Sequence, residues 1–163
     1  MSQAAHPDTP AVRLLHKAGV EYTDYHYAYE EGGGTAVCAK ELNVDEHSVV
    51  KAIVLEADGK PLIVLMHGDM RASAKELARI AGVKAITPCT PQKVEEYTGY
   101  ETGGISPFGT RMEIPVYMEE TILNLRKIYI NGGKRGYLVS MDPYDAVKIL
   151  QPTLIKVGSA RAA

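Results

Sequence analysis

The sequence predicts an α+β fold organised on a mixed, curved β-sheet. Two β-rich runs, Val49 to Ala57 and Pro61 to His67, flank Asp58-Gly59, the strongest hairpin signal in the chain, and a hairpin demands antiparallel pairing. Helix start and stop signals recur between further short β-rich runs. The two kinds of element intermingle without the regular βαβ alternation of a parallel sheet.

Taken in order, Thr9-Pro10 reads as N-cap and N1 proline of a helix over Ala11 to Ala18, with Gly19 at C′. A tyrosine-rich strand follows, with Tyr25, Tyr27 and Tyr29 on one face, until Gly32-Gly33-Gly34 breaks it. Thr35 is placed to cap a short helix to Leu42. After the hairpin, Ser73 and Glu76 form a capping box for a helix that Gly82 ends. Val83 to Thr87 reads as a short strand, and Thr90-Pro91 opens a helix through Tyr97, stopped by Gly99. A glycine-rich loop, Gly103 to Gly109, precedes a strand over Met112 to Met118, a short helix near Glu119 to Leu125 and a strand over Lys127 to Asn131. The second glycine cluster, Gly132-Gly133-Lys134-Arg135-Gly136, turns the chain into a strand over Tyr137 to Met141. Asp142-Pro143 starts a last helix to Leu150, and the Ala-rich tail is expected to fray.

With 163 residues, 45% hydrophobic and 23% charged, the chain fits one globular domain with its own core. No run approaches the roughly 18 apolar residues of a membrane span, and the N-terminal residues lack the character of a signal peptide, so a cytoplasmic protein is expected. Cys38 and Cys89 read as reduced thiols. The five histidines show no metal-ligand spacing, and neither metal nor cofactor is expected. A net charge of -2 argues against DNA or other nucleic acid held by bulk electrostatics. The charge is unevenly spread: residues 1–125 carry 11 Lys/Arg against 18 Asp/Glu, and residues 126–163 carry 7 against 2. The C-terminal part is thus either a phosphate-facing surface or a solvated basic face.

Lys51 is the most informative single residue. On Val49 to Leu55 the two-residue period puts it on the face of Val49, Ile53 and Leu55, where an ammonium meets an anion, a polar ligand or water, or else snorkels out. Three glycines and a proline fix the Gly103-Gly104-Ile105-Ser106-Pro107-Phe108-Gly109 loop so that its backbone can approach a ligand closely. Its superficial likeness to a nucleophile elbow fails, because Phe108 replaces the second glycine and Pro107 has no N–H to offer an oxyanion. Neither Gly32-Gly33-Gly34 nor Gly132-Gly133-Lys134-Arg135 has a full P-loop pattern, so each reads as a turn, or, for Lys134 and Arg135, as a seat for a terminal phosphate.

Pro10-Ala11-Val12-x-Leu14-Leu15, Val50-Lys51, Gly103-Gly104-Ile105-Ser106-Pro107 and Gly132-Gly133-Lys134-Arg135-Gly136, in this order over residues 10–151, resemble the YbaK/EbsC family of prolyl-tRNA synthetase-associated editing domains. The resemblance implies one domain over residues 1–163 with flexible ends at 1–8 and 152–163. It also implies a partly barrel-like sheet with helices outside, and a pocket between Lys51 and the Gly103–Pro107 loop. It implies a free-standing aminoacyl-tRNA deacylase, with prolyl-tRNA synthetase or an elongation factor as partner and no membrane partner. Lys51 takes the place of the family's functional lysine and Tyr27 that of a pocket tyrosine of cysteine-specific members. Gly103, Gly104, Ile105, Ser106, Pro107 and Leu138 would border the substrate, and Gly132, Gly133, Lys134 and Arg135 would face tRNA phosphate. Chemistry would come from water, the adenosine hydroxyl or a substrate thiol. Leu138 stands where members often have Asp or His, and Asn131 where cysteine-specific members have Ser. A less polar pocket follows, suited to a small apolar or hydroxylated amino acid. The alternatives are a non-catalytic tRNA- or synthetase-binding module of the same fold and a small-molecule binding protein unrelated to translation.

Overall fold

A computed structural model describes residues 7–160. Helix α1 (Pro10–Ala18) is capped by Thr9, whose hydroxyl accepts from the Val12 N–H, and is ended by left-handed Gly19. Strand β1 is only Thr23–His26, so Tyr27 and Tyr29 lie beyond its end. Helix α2 (Gly34–Leu42) has Gly33 at its N-cap and no side-chain cap. The Thr35 hydroxyl, expected there, instead lies 2.7 Å from the Glu46 carboxylate and 3.1 Å from the Gly68 carbonyl.

Strands β2 (Val49–Ala57) and β3 (Lys60–His67) form the expected hairpin, with Asp58 and Gly59 both at positive φ as a two-residue I′ turn requires. Strand β4 (Met70–Ala72) leads into α3 (Ala74–Ala81), where Ser73 accepts from Glu76 N–H but the Ser73 N–H donates to the Val157 carbonyl. The capping box is therefore half formed. Strand β5 (Ile86–Pro88) and helix α4 (Pro91–Thr98) follow.

The strand expected over Met112 to Met118 begins only at Val116, as β6 (Val116–Glu119). Arg111 and Met112 donate backward to the end of α4, and Pro115 has no N–H to give a ladder, although its carbonyl accepts from Ile63. The next turn, Glu120–Asn124, is 3-10. Strand β7 (Ile128–Lys134) runs into the second glycine cluster, pairs with β8 (Tyr137–Met141) and is bulged between Asn131 and Lys134. Helix α5 (Pro143–Leu150) completes the expected set.

Beyond it, where a frayed tail is expected, β9 (Thr153–Ile155) pairs with β6 and β10 (Gly158–Ala160) with β4. The buried Glu119 carboxylate holds this segment by accepting from the N–H groups of Val157 and Gly158 at 2.8 and 3.0 Å. Residues 1–6 and 161–163 of the expected flexible ends lie outside the described residues.

The main sheet has the order β1-β8-β7-β2-β3-β6-β9, with parallel and antiparallel neighbours mixed. Strand β2 changes partners along one edge: β7 pairs with Val49 and Val50, and β5 with Leu55 to Ala57. Between them, no strand among the described residues pairs with Lys51 to Val54 on that edge. One sheet face, with Val50, Val54, Ile63, Ile130 and Val139, packs on α1, Phe108 and α5. The opposite face carries α2, through Cys38 and Ala39 on Val49 and Leu138, and α3, through Leu77 and Ala78 near Val64 and Met66.

Candidate active site

The period-two alternation of β2 sends Lys51 to the same face as Val49, Ile53 and Leu55, between the patches covered by α2 and α3. Its Nζ donates to the Gly68 carbonyl at 3.3 Å. Gly68 begins the turn after β3, and its N–H donates to the Val49 carbonyl at 2.7 Å. That turn is itself braced. His67 is fully buried and its ring stacks on His47 with centroids 3.7 Å apart. Its Nδ1 donates to the His47 carbonyl at 2.7 Å, which leaves Nε2 to accept from the Thr121 hydroxyl at 2.7 Å. Burial, more than any neighbouring charge, lowers the His67 pKa and keeps the ring neutral.

A cavity of about 310 Å³ opens beside Lys51. Val49, Leu138, Cys38 and Tyr27, which pack together, line it with Val37, and the glycine loop contributes Gly103 and Ile105. Leu138, 2% exposed, is fixed by pairing with Asn131 on one side and Tyr25 on the other. The Tyr27 phenol pKa is pushed up by burial and then by its hydrogen bond with the Cys38 thiol. Burial raises the thiol as well, so both groups are protonated near neutral pH and Cys38 is no thiolate nucleophile.

The glycine loop meets the cavity through Gly103 and Ile105 only. Gly103 has φ +92°, and a Cβ there would run into the Tyr29 hydroxyl. Neither the Gly103 nor the Ile105 N–H has an acceptor among the described residues. Gly104 packs on the backbone of Lys134 and Arg135, where a Cβ would come within 2.8 Å of the Arg135 nitrogen. Ser106 and Pro107 are buried away from the cavity, and the Ser106 hydroxyl accepts from Phe108 N–H at 3.1 Å. Ser106 thus shapes the loop.

The second glycine cluster is not at the cavity wall either. A Cβ on Gly132 would collide with the Tyr137 ring, and one on Gly133 would come within 2.8 Å of the Tyr100 ring. Lys134 and Arg135 are exposed. Arg135 donates to the Thr102 carbonyl at 2.9 Å, lies 3.6 Å from the Glu101 carboxylate and covers the Tyr29 ring at 5.1 Å.

Asn131 joins the two glycine segments. Its Oδ1 accepts from the Gly133 and Lys134 N–H groups at 2.6 and 3.0 Å, while Nδ2 donates to the carbonyls of Lys134 and Gly103 at 3.2 and 3.3 Å. Sequence reasoning treats Asn131 only as a departure from a motif and Thr35 only as a helix cap, and it does not find Gly68 or the His47–His67 stack. The one available signal was the His67-Gly68-Asp69 turn directly after the best strand. Among the described residues no group of His, Cys, Asp or Glu is arranged to hold a metal ion, and no helix is long and apolar enough to cross a membrane.

A lysine anchored to a strand-end carbonyl and a glycine loop thus line one small cavity on a mixed sheet. The family model described as "Aminoacyl-tRNA editing domain" matches residues 30–149, and the chain belongs to that family. Among its relatives is EbsC of Enterococcus faecalis, proposed as a Cys-tRNA(Pro)/Cys-tRNA(Cys) deacylase, 28% identical over 83% of this chain and 84% of that protein. The proline–tRNA ligase of Lactobacillus helveticus is 27% identical over 61% of this chain, which corresponds to 18% of the ligase. In three dimensions, the crystal structure of a proposed trans-editing enzyme for prolyl-tRNA synthetase superposes with a TM-score of 0.82 at 20% identity, covering 95% of this chain and all of that one.

Proposed function

We propose that this aminoacyl-tRNA deacylase acts in trans, clearing a small mischarged amino acid of the Cys, Ala, Ser or Thr class from tRNA, with tRNA(Pro) as the carrier. The observation that carries the reading is that Lys51, Gly103 and Ile105 line one cavity together with the apolar Val49 and Leu138. The carrier is suggested by the likeness to EbsC and to a segment of proline–tRNA ligases. A synthetase or elongation factor would deliver the substrate in the cytoplasm.

An aminoacyl ester is already activated, so holding it beside a water and stabilising the oxyanion supply much of the acceleration. Water adds to the ester carbonyl carbon, negative charge develops on the carbonyl oxygen, and the bond to the ribose oxygen breaks to release amino acid and free tRNA. Lys51 and the Gly103 and Ile105 N–H groups are the donors for that oxygen. No protein nucleophile is needed, in keeping with a protonated Cys38 and a buried Ser106. With a cysteinyl ester the substrate thiol could attack instead, a lyase-type cyclisation; Leu138 in place of a polar residue favours plain hydrolysis of a small apolar or hydroxylated amino acid. Tyr27 and the rigid glycine wall exclude larger side chains by clash, a sharper filter than rewarding one methylene, worth about 1–3 kcal/mol. Lys134, exposed beside the glycine loop, and Arg135 would meet tRNA phosphate.

Incubation with Cys-, Ala-, Ser- and Thr-charged tRNA tests the proposal. Ester loss above the blank for at least one supports it. Saturable tRNA binding with no ester loss for any would select the non-catalytic module.

A further inference from the structure

Lys51 and Glu30 are the only cationic and the only acidic residue among the described residues that line the cavity. Glu30 lies on the segment between β1 and α2 and is exposed, which puts it at the open side. Its backbone is held, because the Glu30 carbonyl accepts from the Gly33 N–H at 3.0 Å in the turn that leads into α2. The residue before it is held as well: the Tyr29 ring lies under the Arg135 guanidinium and packs on Gly103.

Three other polar side chains of the lining are already engaged with the protein. Asn131 uses both ends of its amide on the glycine segments, the Thr35 hydroxyl lies on Glu46 and Gly68, and the Tyr27 phenol bonds to the Cys38 thiol. The Glu30 carboxylate, by contrast, makes no hydrogen bond or ion pair among the described residues. An aminoacyl ester carries an ammonium group on the carbon next to its ester carbonyl, and negative charge develops on the carbonyl oxygen as water adds. Lys51 suits the oxygen and repels the ammonium. A carboxylate on the same cavity offsets that repulsion and fixes which way round the ester lies, its nitrogen toward the open side and its oxygen toward Lys51.

We propose that the Glu30 carboxylate holds the α-ammonium group of the aminoacyl ester, so that the site accepts esters whose amino group is free. This deepens the deacylase reading of the cavity and rests on it. An ester whose nitrogen is acylated has no charge to offer Glu30 and brings a larger group to the same place, so N-blocked esters are refused. Recognition of the ammonium does not depend on the amino-acid side chain, and the choice among small amino acids is left to Tyr27, Val49 and Leu138.

The test measures binding of two probes that cannot be hydrolysed as esters: adenosine carrying alanine in amide linkage at the 3′ position, and the same molecule with a hydroxyl in place of the α-ammonium. The wild-type protein should bind the ammonium probe about fivefold more tightly, as suits a partly exposed ion pair. Glu30→Gln should bring the two Kd values together and leave that of the hydroxyl probe unchanged; the position is exposed, so the fold is not at stake. Equal Kd values in the wild-type protein, binding of neither probe, or a preference that survives in Glu30→Gln would overturn the proposal. On the best charged tRNA the same variant should raise KM about fivefold with kcat nearly unchanged, whereas a fall in kcat alone would assign Glu30 to loop structure and reject the contact. The two readings fail separately: a probe preference without deacylation of any charged tRNA rejects the enzyme alone, and deacylation without a probe preference rejects the Glu30 assignment alone.

Discussion

The Nζ of Lys51 and the carbonyl oxygen of Gly68 lie 3.3 Å apart, which ties the centre of the site to the turn that ends the neighbouring strand. A lysine side chain has about 2 kcal/mol of rotamer entropy, and an acceptor at its tip lowers the freedom that must be lost when a substrate oxyanion arrives.

Replacing Lys51 by Ala should lower the deacylation rate on the best charged tRNA by about 10²–10³-fold, the usual loss when one oxyanion donor is removed. Single-turnover assays measure this. Unaltered turnover would reject a role for Lys51 at the ester.

Gly68→Ala tests the anchor. A Cβ at Gly68 would lie 2.6 Å from the Thr35 hydroxyl, 2.7 Å from the Thr35 Cβ and 3.0 Å from the Glu46 carbonyl. These are fixed groups, so overpacking should destabilise the fold by about 1–3 kcal/mol. Urea unfolding gives the number, and an unchanged midpoint would mean that the turn shifts freely.

Asn131→Asp keeps the oxygen that accepts from Gly133 and Lys134 but removes the N–H₂ that donates to Gly103 and Lys134. The bulge should survive while the glycine wall loosens, at about 1–2 kcal/mol of stability. KM for charged tRNA should rise more than kcat falls. Equal stability with unchanged KM would show that the Asn131–Gly103 contact does not hold the wall.

The buried His67 predicts the acid limb of stability. Burial lowers its pKa from the ordinary 6.5 in the folded chain, with the His47, Asp69 and Glu119 charges acting as smaller influences. Below about pH 6.5 the unfolded chain takes up a proton that the folded chain refuses, so this contribution is complete above that pH and fades as pH falls toward the folded value. Urea midpoints taken from pH 7.5 to pH 5 should therefore decline, and His67→Gln should flatten that part of the curve. A profile identical in the variant would remove His67 from the account.

Much of this architecture is legible before any coordinates. Asp58-Gly59 sets the hairpin and its register, and through the two-residue period that register places Lys51 on the right face. Thr9, Ser73, Thr90 and Asp142 cap helices where their residue types suggest. What is lost is non-local. Thr35 looks like a cap because its neighbours in sequence are a glycine break and a helix, yet its partners are Glu46 and Gly68, 11 and 33 residues away. The tail looks frayed because the carboxylate that orders it, Glu119, sits 38 residues earlier. The glycines of the second cluster suggest a phosphate cradle, but what they make room for is tyrosine rings. Of the residues the motifs single out, Lys51, Tyr27, Gly103, Ile105 and Leu138 line one cavity, while Gly104, Ser106 and Pro107 are buried outside its lining.

The change of partner along β2 has a dynamic consequence. A nine-residue strand with a neighbour on each side would ordinarily hold the slowest-exchanging amides of its sheet. Here the amides within Ala52 to Val54 that point away from β3 meet no strand among the described residues, so in deuterated water they should exchange as edge amides do, far ahead of those in Leu62 to Met66.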